Sequence, residues 1–151
     1  MYSGQLYISS DHGGYKLKKR LVRYIQNELK RDVEDIGPHE YEKTDDYPDY
    51  AIPLAKKTVE TKGRGITICS SGIGVCIAAN KIAGVRAGLG YNIEVAESMV
   101  KDDDTNILCL GAKTISEDHA MAIVKKWLES KKEFLGGKYQ RRIDKINALE
   151  K

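Results

Sequence analysis

Short apolar runs alternate with amphipathic segments along this chain, and this alternation limits the possible folds more than any other feature. The runs typical of buried strands are 6–10, 33–36, 66–69, 85–89 and 107–111. A helical stripe follows the first of them, at Leu17, Leu21, Ile25 and Leu29. Strands separated by helices pair in parallel, through right-handed crossovers. The sequence therefore predicts an α/β fold, a Rossmann-like three-layer αβα domain whose five-stranded parallel sheet carries helices on both faces.

Further helices are predicted at 49–61, 75–81, 93–100 and 116–129. We expect the basic residues of the first helix, among them Lys18, to form a solvated face. The last helix has an apolar stripe at Tyr139, Ile143, Ile146 and Leu149, but no strand follows it. We expect this helix to dock on a partner subunit of a homodimer or larger oligomer; packing on its own sheet is the alternative. Residues 1–151 suit one domain.

Composition excludes several classes of function. The 25 Lys and Arg are nearly balanced by 22 Asp and Glu, and a net charge of +3 does not favour nucleic acid or membrane. No apolar run approaches the roughly 20 residues of a membrane span. The three cysteines have no metal-type spacing and no secretory leader precedes them. We therefore expect a cytoplasmic protein with free thiols, no metal and no cofactor.

The loop that follows the third strand is the strongest candidate site. The strand ends at Cys69 and passes through Ser70, Ser71, Gly72, Ile73 and Gly74 into a helix. Backbone N–H groups at a helix start attract anions and stabilise a nearby thiolate. The turn can thus supply both a base and a cradle for negative charge.

Two other interpretations of this loop remain open at this point. Cys69 can be a small buried residue, as we expect for Cys76 and Cys109, which have no such loop. Gly72-Ile73-Gly74 loosely resembles a dinucleotide-binding fingerprint. That motif normally follows the first strand, and no acidic residue is placed to bind a ribose.

Two more groups are candidates for ligand binding. Asp11 and His12 end the first strand before paired glycines, which let a backbone approach a ligand closely. Lys138, Arg141 and Arg142 open the last helix, where the helix dipole disfavours cations. A bound phosphate would offset that cost, and a solvated basic face is the alternative.

The motifs taken together resemble the type B ribose-5-phosphate isomerases, a family that also holds the galactose-6-phosphate isomerase subunits. The resemblance covers nearly the whole chain. It rests on the segments 11–18, 46–48, 68–74, 78–81, 84–87, 104–106 and 136–142, with their spacing intact.

The resemblance implies a metal-free aldose–ketose isomerase that acts through a cis-enediolate. It places Cys69 as the base that moves a proton between C2 and C1, and Ser71 as a hydroxyl that assists proton movement between the sugar oxygens. The N–H groups of residues 70–74 would form an anion hole, a use of preorganised donors that agrees with the loop's own chemistry. Asp11 and Tyr47 would contact the sugar.

The resemblance also implies that His12 and cations of a second subunit bind the phosphate. Those cations map onto Lys113, Lys138 and Arg142, where the family more often has arginine at the first two. Lysine keeps the charge but loses the bidentate fork.

The chain departs from the family pattern most at the expected ring-opening position. Asp102 stands where members that use ribose 5-phosphate usually have histidine, and Asp103 stands where asparagine is usual. A carboxylate accepts the ring proton readily but donates it poorly at neutral pH. The resemblance implies ribose 5-phosphate as the substrate, and the substitution at Asp102 leaves that choice open. The alternatives are a six-carbon aldose phosphate (allose or galactose 6-phosphate) and a catalytically silent sugar-phosphate binder.

Overall fold

A computed structural model describes residues 1–130 and 134–150 of the chain. The strands in these ranges are β1 (Leu6–Ser10), β2 (Glu34–Gly37), β3 (Arg64–Cys69), β4 (Ala87–Leu89) and β5 (Ile107–Gly111). The helices are α1 (Tyr15–Asn27), α2 (Pro48–Glu60), α3 (Ile73–Asn80), α4 (Ile93–Asp103), α5 (Glu117–Glu129) and α6 (Lys138–Asn147).

The strands form one parallel sheet in the order β2-β1-β3-β5-β4. One face is covered by α1, α4 and α5, whose apolar side chains meet those of β1, β3 and β5 around Trp127. The other face is covered by α2 and α3, around Leu54 and Val75. These two cores confirm the predicted three layers and five parallel strands. No helix among the described residues is long and apolar enough to cross a membrane.

Local hydrogen bonds explain where the elements begin and end. Ser116 accepts from the His119 N–H at the start of α5, so the residue predicted to open that helix is its N-cap. The helix α4 runs three residues beyond the prediction and ends at Asp104, which adopts a left-handed conformation. The strand β4 starts at residue 87, not 85, because the Arg86 N–H donates to the Asn106 side chain.

The side chain of Lys18 corrects one prediction. It is fully buried on α1, although we expected the basic residues of this helix to be solvated. Its Nζ donates to Asp35 Oδ1 at 2.9 Å and also to the Pro38 carbonyl. The sequence pattern missed this contact because a buried cation is tolerated where partners from other segments satisfy it.

The last helix is only partly packed within the chain. Ile143 is buried against α4, whereas Ile146 and Leu149 are 51% and 83% exposed. Ile143 is therefore the buried residue of the predicted stripe, and the C-terminal part of the stripe is left largely exposed.

Candidate active site

The ends of β1 and β3 bring the two principal motifs together. These strands are neighbours, and the Asp11 N–H donates to the Ile68 carbonyl at 3.2 Å. The next turn approaches so closely that a Cβ at Gly13 would lie 2.3 Å from Ser70 Oγ. A side chain at Gly13 would force the Ser70 hydroxyl to turn away and would crowd the Ser70 backbone nitrogen at 3.2 Å. The fold thus brings Asp11 and His12 next to the Cys69 loop, because the carboxyl ends of β1 and β3 lie at the same edge of the sheet.

The sulfur of Cys69 lies beneath the start of α3. The Gly72 N–H is directed at Cys69 Sγ at 3.2 Å, and the residue keeps 5% of its surface exposed. Gly72 has a φ of +78°, and a Cβ there would lie 2.8 Å from the Leu110 carbonyl carbon. The turn that aims this donor at the thiol therefore depends on glycine. The donor and the amino end of the helix both stabilise negative charge at this position.

The rest of the loop presents main-chain donors. The Ile73 N–H is held by Ser71 Oγ at 3.2 Å. Within the part of the chain that the structure describes, the N–H groups of Ser70, Ser71 and Gly74 have no partner. This row of donors next to a thiol is suited to bind an oxyanion.

The aromatic ring of Tyr47 packs directly on this loop. A Cβ at Gly74 would lie 2.6 Å from Tyr47 Cζ, so the ring rests on the glycine backbone. Tyr47 also joins the buried cluster that contains Cys69. The structure thus places Tyr47 at the loop, as the resemblance implied for a sugar contact.

Asp11 and His12 have different environments. The buried Asp11 carboxylate accepts from the Gly14 N–H at 3.1 Å and caps the turn that follows β1. The His12 side chain is 37% exposed, and its Nδ1 lies 2.7 Å from Asp45 Oδ1. The hydrogen bond that His12 donates to Asp45 raises the pKa of His12; desolvation opposes this, and the charges of Asp11 and Asp45 add to it.

Asp45 is a site residue that the sequence reasoning missed. It lies in the polar segment before α2, 33 residues from its partner, and no local pattern links the two positions. The only signal was the length and polarity of that segment, which is typical of functional loops. Asp11, His12 and Asp45 are also the one group, among the residues described, whose potential ligand atoms lie within 4.8 Å of one another. The 2.7 Å contact between nitrogen and oxygen is the geometry of an ion pair rather than of two ligands around a common ion.

Other predicted site residues lie where the strands begin, at the opposite edge of the sheet from the Cys69 loop. Asp102 and Asp103 end α4, and Arg86, just before β4, donates to the carbonyls of Asp103 and Asp104. Cys69 instead pairs with Gly111 at the far end of β5. Four residue steps along these strands correspond to about 13 Å. One chain therefore does not bring Asp102 or Asp103 to the thiol.

The predicted cations are divided between the same two edges. Lys113 is exposed beside the loop, and its N–H donates to the Ser70 carbonyl at 2.9 Å. Lys138 and Arg142 lie on α6, which packs on α4. Partial desolvation raises the pKa of Asp103 and neighbouring Asp102 adds to this, while Arg142 opposes it. Arg142 is thus close to Asp103 and remote from the thiol of its own chain.

A shallow groove adjoins the loop on the outer side of α3. Ile73 and Ile77 are 55% and 56% exposed on one face of this helix. With Leu89 and Lys81 they line a groove of about 410 Å³. An apolar surface of this kind next to an incomplete site is typical of an interface.

The fold and the loop define an α/β protein that holds a thiol against a row of anion-binding donors. Residues 6–146 match the model of the Ribose/Galactose Isomerase family, and this chain belongs to that family. The ribose-5-phosphate isomerase B of Escherichia coli (strain K12) is 39% identical over 144 residues, covering 93% of this chain and 92% of that protein.

Solved structures agree with this assignment over almost the full length. The crystal structure of ribose-5-phosphate isomerase B from Mycoplasma genitalium with bound ribulose-5-phosphate has a TM-score of 0.93 and 38% identity, and the match covers 99% of this chain and 98% of that one. The corresponding Clostridium thermocellum protein has a TM-score of 0.89 and 38% identity, over 97% of each chain. These similarities confirm the fold and the family predicted from the sequence.

Proposed function

We propose that this protein interconverts D-ribose 5-phosphate and D-ribulose 5-phosphate through a cis-enediolate. The observation that carries the proposal is the Cys69 sulfur held 3.2 Å from the Gly72 N–H, beside unpartnered donors of the same loop. The thiolate removes the proton at C2 of the open-chain sugar and returns it to C1. The N–H groups of residues 70–74 bind the negative charge that develops on the sugar oxygens. Ser71 moves the proton between those oxygens.

The substrate contacts follow from the positions of the remaining residues. Asp11 and Tyr47 contact the sugar, since both border the loop. His12 is exposed at the same edge and, with Lys113, Lys138 and Arg142, binds the phosphate. The thiol must stay reduced to act as a base, so we propose a cytoplasmic location for the enzyme.

A homo-oligomer with shared sites is the second part of the proposal. Asp102, Asp103, Lys138 and Arg142 lie at the edge of the sheet away from the thiol. A second copy seated on the groove beside Ile73 and Ile77 would bring its own set to the loop. The uncovered stripe of α6 supports the same arrangement, because Ile146 and Leu149 are exposed in one chain.

In this arrangement Asp102 of the neighbouring copy takes the proton of the anomeric hydroxyl and passes it to the ring oxygen as the bond between C1 and that oxygen breaks, which opens the sugar. Because aspartate stands where histidine is usual for ribose 5-phosphate, a six-carbon aldose phosphate is the second candidate substrate. Turnover of ribose, allose and galactose phosphates, measured side by side, distinguishes the two. Binding of all three without turnover would identify a silent sugar-phosphate binder.

The decisive test is the substitution Cys69→Ala. We expect turnover to fall at least about 10³-fold, because loss of the positioned base removes the proton transfer between C2 and C1. Exchange of the C2 hydrogen with deuterated solvent, followed by NMR, should disappear as well. Cys109→Ala is the matched control, because it removes a second buried thiol, on β5, to which the proposed mechanism gives no role. Unchanged exchange in Cys69→Ala, with normal folding, would reject Cys69 as the base.

A further inference from the structure

The contact between His12 and Asp45 is built from two hydrogen bonds to one oxygen. Asp45 Oδ1 accepts from the His12 backbone N–H at 2.9 Å and from Nδ1 of its ring at 2.7 Å. A carboxylate at neutral pH only accepts, so Nδ1 must carry a hydrogen. The pair therefore fixes both the main chain and the ring orientation of His12, and leaves Nε2 as the nitrogen free to meet a ligand.

The carboxylate of Asp45 needs this partner. Its side chain is only 5% exposed, and Oδ2 is buried with no partner among the described residues. A buried carboxylate is costly unless a positive group compensates it. His12 is the cation that forms an ion pair with Asp45 in the described structure.

The charged neighbours of His12 favour its cationic form and outweigh desolvation, which opposes it. Asp11 precedes it at the end of β1, and the segment 38–47 contributes Asp45 and the edge-on ring of Tyr41, whose centroid is 6.4 Å away. Both charged neighbours are acidic and raise the pKa of His12, Asp45 most strongly. A raised pKa increases the protonated fraction of His12 at a given pH, and a cationic histidine is a better ligand for a dianion than a neutral imidazole.

We propose that Asp45 is a positioning residue that locks the His12 ring and keeps it cationic, so that Nε2 binds the phosphate of the substrate. This inference rests on the proposed function, because it assumes that His12 faces the phosphate. Asp45 itself does not touch the sugar phosphate; it acts through the histidine. The segment 38–47 thereby sets the pH range in which phosphate is held.

The test compares Asp45→Asn with the wild-type protein, using sulfate as the probe. Sulfate stays dianionic over the range of interest, so a change in binding with pH reports the protein alone. We expect the NMR titration of His12, assigned with His12→Asn, to move to lower pH in the variant. We also expect sulfate binding at pH 7.5 to weaken about two- to five-fold, as loss of a partly exposed ion pair implies. The weakening of binding with rising pH should begin at a lower pH than in the wild type.

Glu40→Gln is the matched control, because it removes one negative charge from an exposed position of the same segment. It should leave both the His12 titration and sulfate binding unchanged. An unchanged His12 titration in Asp45→Asn overturns the inference. A shifted titration with unchanged sulfate affinity overturns it too, since Asp45 would then not act on anion binding. Asparagine keeps an amide oxygen that can accept the same hydrogen bonds. Asp45→Ala removes this acceptor, and circular dichroism checks that the variant folds.

These results are distinguishable from a failure of the proposed function. The titration and sulfate binding are read without turnover, so a wild-type protein inactive on ribose 5-phosphate would still give a definite answer. Conversely, a protein that isomerises the sugar but shows no effect of Asp45→Asn would retain its function and lose only this role for Asp45.

Discussion

The two edges of the sheet differ in how completely they are built. At the carboxyl edge, close packing fixes the backbone around Cys69: a Cβ at Gly13, Gly72 or Gly74 would lie less than 3 Å from its neighbour. At the opposite edge, a Cβ at Gly136 would meet nothing within 4 Å, and α6 touches its own chain mainly through Ile143. The first edge is preorganised to stabilise charge.

The second edge holds groups that the first lacks. Asp102, Asp103, Lys138 and Arg142 are carboxylates and cations that lie toward the start of β5, whereas Cys69 pairs with the end of β5, about 13 Å further along the strand. Under the proposed function, the rigid edge would carry the proton transfer, and the weakly anchored edge of another copy would complete substrate binding.

Mixing two defective subunits gives the largest expected effect. Cys69→Ala should be inactive, and Arg142→Ala should weaken substrate capture about 10- to 100-fold through loss of a charged hydrogen bond. If the edges meet across a two-fold interface, a hybrid dimer has one intact site. Random co-assembly of the two variants should then restore about a quarter of wild-type activity at low substrate concentration.

Separate tags on the two chains allow the hybrid to be purified and assayed. Activity no greater than that of the two variants added together would show that each site is formed within one chain. It would contradict the proposal that the two edges meet across an interface.

A pair of glycine substitutions measures the difference in rigidity. Gly72→Ala adds left-handed strain of about 1–2 kcal/mol and a contact of 2.6–2.9 Å with Leu89, Leu110 and Gly111, so the turn must shift. We expect the free energy of unfolding to fall by about 3 kcal/mol and most of the activity to be lost. Gly136 has a φ of +62°, but a Cβ there would meet open space. We therefore expect Gly136→Ala to lower the free energy of unfolding by only about 1 kcal/mol.

Denaturant unfolding measures both values, with turnover assayed in parallel. Equal losses at the two glycines would show that packing at the carboxyl edge contributes little to its rigidity.

The smallest effect is expected within the last helix. Ile143→Ala removes a side chain that is 4% exposed and should cost about 2–3 kcal/mol in unfolding. Leu149→Ala alters one that is 83% exposed and should change the free energy of unfolding by less than about 0.5 kcal/mol in an isolated chain. Sedimentation equilibrium of both variants measures their oligomeric state. A clear shift to monomer in Leu149→Ala would place this stripe at an interface between copies.

Most of the fold could be predicted from the sequence because its signals are local. Periodicity over a few residues identifies each strand and helix, and alternation of the two then requires a parallel sheet. The carboxyl edge shares this property, since the thiol, the small residues and the glycines of the loop are consecutive. The order of the residues therefore already indicates a thiol beside anion-binding donors, and the structure has this arrangement.

Contacts between distant segments could not be predicted in this way. The burial of Lys18 by Asp35 and the Pro38 carbonyl reverses what its helical position indicates. Asp45 reaches His12 across 33 residues, with no motif that joins them. Pairings of this kind depend on how loops pack after the sheet has formed, so they are properties of the tertiary structure.

The sequence by itself determined the layered architecture and the thiol loop, because short-range periodicity and backbone sterics act within a few residues. Only the tertiary structure decided which edge of the sheet each functional group occupies. Each crossover helix of a parallel sheet has one end at the carboxyl edge and its other end at the opposite edge. This placement separates Asp102 and Arg142 from Cys69 within one chain.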